Sequence, residues 1–250
     1  MSPRGLHSPS DQIEALTKGV RLPFPSLEPE HLEVILEMLQ AAFHDVATNY
    51  VGTLIYGNEP EINALMEARL NALLMEADHE ASPAMLWRQL VNAVARGKET
   101  VIYNGERIEK RPDLNILFNL RHPSFPLVVE CKMIDRHKDK SPRLYCDDGV
   151  ARFLRGEYGW GTREAVMLGY VRDESSLTSS LAPLLSHVNG IDRYAVRQPL
   201  QAVRPSPPDI ACSVHERRFR YVGRLSPDDD PGNISIWHLW MVIPQPDVKQ

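Results

Sequence analysis

The apolar residues of this chain change their period part-way along, and that change limits what it can fold into. Between residue 30 and about residue 48, Leu32, Val34, Ile35, Met38, Leu39, Ala42 and Phe43 recur at helical spacing. A second stripe (Ile62, Leu65, Met66, Leu70, Leu73, Leu74) predicts a helix over 59–80, and Ser82-Pro83 starts a shorter one expected over 82–95. Beyond that point the apolar runs shorten to strand length. A hairpin is expected from 100–103 and 107–109 about Asn104-Gly105, then strands over 113–120, 127–134, 164–171, 210–222 and 234–243. Two helices interrupt them, one capped by Asp147 or Asp148 and running to about Tyr158, one over 174–188 with Pro183 inside it. Helices first, then strands interleaved with helices, make an α/β chain.

A length of 250 residues is ample for a core and sets a prior of one or two domains. With 43% apolar and 24% charged residues, disorder, coiled coil and collagen are excluded. No apolar run reaches membrane-spanning length, and the opening MSPRGLHSPSDQ has no apolar core of a signal peptide. The proline-rich first 29 residues read as a loose lead-in. Cys131, Cys146 and Cys212 form neither an even framework nor a metal-ligand pair, so a reducing cytoplasm is the expected location. Zinc-finger, P-loop and GxGxxG patterns are absent, and Asp228-Asp-Asp-Pro-Gly232 reads as a solvated turn.

The net charge of −5 argues against a general nucleic-acid binder, but it is unevenly spread. Residues 1–95 carry 5 Lys/Arg against 13 Asp/Glu, residues 96–163 carry 14 against 10, and residues 164–250 carry 9 against 10. The basic excess lies in the middle block.

That block also holds the chain's most unusual strand. Glu130 and Lys132 sit within Leu127–Ile134, sharing a face with Val128, while Val129, Cys131 and Met133 share the other. Two ionic groups in so apolar a strand need partners. Antiparallel pairing with the strand opened by Arg111-Pro112-Asp113 brings Asp113 beside Glu130, and two close carboxylates repel unless a cation lies between them. A hard divalent ion such as Mg²⁺ suits these oxygens, with the Cys131 backbone carbonyl as a further ligand.

Pro112-Asp113, sixteen intervening residues, then Glu130-Cys131-Lys132 resembles the signature of PD-(D/E)XK, restriction-endonuclease-like nucleases. The resemblance implies a core of helix, three antiparallel strands, helix and strand over about 59–171. Around it lie N-terminal helices and a C-terminal β extension, with divisions at 1–58, 59–190 and 191–250. It implies that Asp113 and Glu130 bind Mg²⁺, for which Mn²⁺ substitutes, and that Lys132 positions the attacking water. An acid from the preceding helix completes such sites; Glu61 is the first choice and Glu59 the second. Segments 148–154, 156–159, 167–170, 213–217 and 237–240 further resemble a branch found in bacterial defence systems.

The expected function is Mg²⁺-dependent endonucleolytic cleavage of DNA in antiviral defence. Arg136, Lys138, Arg152 and Arg155, with Lys140 and Arg143, are candidates for binding phosphates, Arg152 and Arg155 lying three apart on one helix face. The competing expectations are a non-catalytic or partner-activated subunit of a larger defence complex, and an RNA-directed nuclease of the same fold. A homo-oligomer or an ATPase or helicase partner is compatible with so little positive charge; a membrane is not expected. His44, His215 and His238 read as ordinary helix and strand residues, Met66 and Met75 as core filling, and Trp237 and Trp240 as core or interface anchors.

Overall fold

A computed structural model describes residues 17–76, 83–97, 100–104, 107–108, 111–203, 210–221 and 230–244. Helix α1 (Pro29–Asn49) buries Leu32, Val34, Ile35, Leu36, Met38, Leu39, Ala42, Phe43 and Val46, a stripe wide enough to pack on two further helices. Those are α3 (Glu59–Met75) and α4 (Pro83–Leu90), with the short α2 (Val51–Tyr56) between α1 and α3. Helix α3 is started by a capping box: Asn58 accepts from the Glu61 amide, and the Glu61 carboxylate accepts from the Asn58 amide.

The helix expected over 82–95 stops at Leu90, and the chain continues as strand β1 (Val91–Ala95). Val91 and Val94 are both buried although three residues apart, because the register with β4 shifts between Val91 and Ala93, so the segment shows no strict alternation in the sequence. Asn71 of α3 bonds both backbone groups of Val94, at 2.7 and 3.0 Å, and so covers part of an open strand edge. The expected hairpin forms from β2 (Thr100–Val101) and β3 (Arg107–Ile108), but as a separate two-stranded sheet.

The main sheet then adds β4 (Leu114–Phe118), β5 (Leu127–Ile134), β6 (Glu164–Val171), β7 (Val196–Ala202), β8 (Ile210–His215) and β9 (Ile234–Val242). Its order is β1-β4-β5-β6-β9-β8-β7, with β5, β6 and β9 parallel at the centre and antiparallel pairs on both flanks. All eight residues of β6 are buried, as a strand covered on both faces requires. One face packs on α1, α3 and α4 through Val129, Cys131, Val166 and Leu168. The other packs on helix α5 (142–154) and helix α6 (177–186) through Val128, Ile134, Ala165 and Met167.

Three expectations about these elements need correction. Helix α5 starts at Pro142, with Ser141 rather than Asp147 or Asp148 accepting from an end amide; Cys146–Val150 is wound as a π turn inside it. The helix expected over 174–188 begins at Leu177 and breaks at His187, after which α7 (Val188–Arg193) follows. Strand β7 escaped notice because it is a polar edge strand interrupted by Pro199, with no apolar alternation to read. The last strand, expected from 234, runs parallel to β6 inside the sheet. Within the lead-in, Leu22 and Phe24 pack in a third apolar cluster with Phe125 and Trp160. Helix α3 ends at Met75, where Glu76 is already extended, short of the expected 80; the proline link at 204–208, the hairpin residues 105, 106 and 109, and residues 77–80 lie outside the described residues. Among the described residues no helix is long and apolar enough to cross a membrane.

Candidate functional site

Strand β5 is eight residues long, but β4 pairs only with its first three, ending where Leu114 meets Val129. Beyond that point β5 has an open edge on the β4 side, and its backbone groups need other partners. Asp113, one residue before β4, continues the ladder with its side chain: Oδ2 accepts from the Cys131 amide at 2.8 Å. Glu59, the first residue of α3, takes the next donor, its Oε2 accepting from the Met133 amide at 2.8 Å. Two carboxylates thereby replace a missing strand.

Lys132 reaches into the notch they form. Its ammonium lies 2.8 Å from Glu130 Oε1, 3.3 Å from Glu59 Oε1 and 3.7 Å from Asp113 Oδ2, and donates to the Cys131 carbonyl at 2.7 Å. Arg152 comes from α5 on the opposite side, its guanidinium 2.7 Å from Glu130 Oε1, bonded to the Tyr158 hydroxyl at 3.2 Å and lying over that ring. Gly149, in the π turn, lets α5 come this close: a Cβ there would sit 2.3 Å from Met167 Cε and 3.7 Å from Lys132 Cγ.

With every group ionised, three carboxylates and two cations would leave one negative charge in excess, and the group responds by holding a proton. Glu130 is fully buried, and burial, reinforced by Asp113, raises its pKa to about 8 against the pull of Lys132 and Arg152. Burial likewise raises the Glu59 carboxyl, Asp113 adding to the shift and Lys132 and the Met133 amide opposing it. Burial works against the Lys132 ammonium, but Glu130, Glu59 and Asp113 together hold it well above the ordinary lysine range. Glu130 Oε2 is buried without a hydrogen-bond partner.

Of the residues picked from the sequence, the structure brings together Asp113, Glu130, Lys132, the Cys131 carbonyl, Arg152 and the second-choice acid Glu59. Glu61 is not part of the group, because its carboxylate is occupied at the head of α3. The signal was present in Asn58-Glu-Pro-Glu61, a cap followed three residues later by Glu, which assigns the second glutamate to the backbone. Arg152 and Arg155 turn to different partners, Arg152 inward and Arg155 to Glu157 at 2.7 Å. Arg136 pairs with Asp173 at 3.1 Å and Lys138 lies 4.0 Å from Asp135, both side chains exposed. Arg143 lies 3.9 Å from Asp147, and the Lys140 backbone bonds that of Asp135. No sequence signal gives Asn63, Tyr158 or Tyr170 a place at the site, because nothing in a sequence shows which buried polar side chain faces a carboxylate.

The two strand histidines are buried in a hydrogen-bonded chain. His215 donates from Nδ1 to the Tyr194 carbonyl, the Ser213 hydroxyl lies between His215 Nε2 and His238 Nε2, and His238 Nδ1 meets the Tyr145 hydroxyl, which also donates to the Met167 carbonyl. Burial lowers the pKa of both rings, that of His215 to about 4, which keeps them neutral.

No protein-family model, curated protein or solved structure matches this chain.

Proposed function

We propose that the chain is a metal-dependent nuclease of the PD-(D/E)XK type that hydrolyses DNA phosphodiester bonds, acting in bacterial defence against foreign DNA. The observation that carries this reading is the convergence of Asp113, Glu130 and Lys132 with Glu59 at the open edge of β5, from three separate elements. The run of elements agrees with it in part: α3, antiparallel β1, β4 and β5, then α5 and β6, follow the order that the resemblance implies, with α4 and the β2–β3 hairpin inserted within it. Strand β1 takes the place first expected of the 100–109 hairpin.

The donors suit a hard cation. The group is rich in carboxyl oxygen and leaves Glu130 Oε2 buried without a partner. Among the described residues no three acidic, His or Cys side chains form a ready metal cage, since the Lys132 ammonium occupies the middle of the group. In this reading Asp113, Glu130 and the Cys131 carbonyl would hold Mg²⁺, with Glu59 beside them, in place of their contacts to the Lys132 ammonium. The ion supplies Lewis-acid activation of water and of the phosphate. Lys132 would orient the attacking water and offset charge on the phosphate. Arg152, bonded to Glu130 and the Tyr158 hydroxyl, keeps Glu130 in place and adds positive charge on the α5 side. The exposed Arg136, Lys138 and Arg155 exchange weak surface pairs for backbone phosphates.

A partner-activated subunit is the second reading, favoured by those same ion pairs, which leave little free positive charge to hold DNA. The test is plasmid nicking and linearisation with Mg²⁺, with a single-stranded RNA substrate alongside. Wild type is expected to cut DNA while Asp113→Ala and Lys132→Ala lose at least a hundredfold in rate; variants that cut as wild type does refute the site.

A further inference from the structure

We infer that Asn63, anchored by Tyr170, is the positioning residue that sets the Asp113 carboxylate for cation binding; this rests on the metal-centre reading above. Asn63 lies one helical turn beyond Glu59 on α3 and is 2% exposed, the one polar residue in a buried stripe otherwise made of Ile62, Met66, Leu70 and Leu73. A buried amide costs folding energy unless its donor and acceptor are both used. Both are: Nδ2 donates to Asp113 Oδ1 at 2.9 Å, and Oδ1 accepts from the Tyr170 hydroxyl at 2.9 Å. The amide has one sensible orientation, since a carboxylate only accepts and the phenol supplies the proton.

Tyr170 is fully buried on β6, its ring stacked with Phe43 of α1, so the chain Tyr170–Asn63–Asp113 ties two helices and two strands to one carboxylate. With Asn63 on Oδ1 and the Cys131 amide on Oδ2, each oxygen of Asp113 has its own donor, and the plane of the carboxylate is set. Both donors are neutral. They orient the charge without cancelling it, and each oxygen keeps a lone pair for a cation.

The experiment is calorimetric titration of the full chain with Mn²⁺, alongside thermal melts. Asn63→Leu, close in size and apolar, is expected to melt cooperatively and to bind Mn²⁺ about ten- to a hundredfold more weakly. Tyr170→Phe, which removes only the anchoring hydroxyl, is expected to lose several-fold. Cleavage at saturating Mn²⁺ should recover towards the wild-type rate in both, with the metal requirement raised, which a merely structural role would not produce. Wild-type Mn²⁺ affinity in a folded Asn63→Leu overturns the inference; if that variant does not fold, wild-type affinity in Tyr170→Phe does so. Asp113→Ala separates the two readings. If it abolishes Mn²⁺ binding while the Asn63 and Tyr170 variants leave it unchanged, the inference alone fails. If wild type binds no Mn²⁺, or Asp113→Ala binds it equally, the metal centre fails and the inference with it.

Discussion

Replacing Glu130 by Gln should flatten the dependence of stability on pH. In the unfolded chain Glu130 titrates near its ordinary value of 4.5; in the folded chain burial and Asp113 push it up to about 8. Between those values the folded state holds a proton that the unfolded state has released, so stability falls as pH rises. The stabilising contribution is complete below about 4.5 and is lost as pH climbs through about 8, at about 1.4 kcal/mol per pH unit. From about pH 5.5 to 7.5 the wild type should therefore lose roughly 3 kcal/mol that Glu130→Gln, neutral throughout and of the same shape, does not lose. Urea unfolding in EDTA, followed by circular dichroism at three pH values in that range, measures the difference. Parallel profiles for the two proteins would refute the argument, because Glu130 would then be ionised throughout. Millimolar Mg²⁺ binds the ionised carboxylate and should shrink the wild-type loss while leaving the variant unchanged.

The two candidate helix acids should separate cleanly. Glu59→Gln is expected to weaken Mn²⁺ binding at least tenfold by calorimetry, whereas Glu61→Ala should cost about 0.5–1 kcal/mol in urea unfolding, through the lost cap, and leave cleavage intact. Gly149→Ala forces the Met167 methyl aside, with an overpacking cost of about 1–3 kcal/mol, and should slow plasmid cleavage as α5 draws Arg152 away from Glu130. Ser213→Ala strips a partner from each of two buried histidines and should cost about 2–4 kcal/mol in unfolding experiments, while cleavage per folded molecule stays at the wild-type level.

Much of this could be read without coordinates. Apolar periodicity located α1 and the start of α3 to within a residue, and the runs at 127–134 and 164–171 matched β5 and β6 at both ends, since strands buried on both faces are apolar throughout. The reading failed where local signals conflict with packing. At 91–95 alanines allow either period, and only pairing with β4 makes the segment a strand. At β7 an edge strand with exposed side chains has no apolar alternation to detect.

The sequence by itself determined that Asp113, Glu130 and Lys132 belong together, because two ionic groups inside an apolar strand require partners and alternation assigns them a face. Only the tertiary structure decided which helix acid joins them. Glu59 and Glu61 are two residues apart, and the difference lies in where α3 starts relative to the open edge of β5: the backbone of α3 takes one carboxylate and the backbone of β5 the other. The same holds for Arg152 and Asn63, which meet the site from opposite faces of the sheet. Their distances of 2.7 and 2.9 Å to its carboxylates arise from layer packing, which no local run of residues encodes.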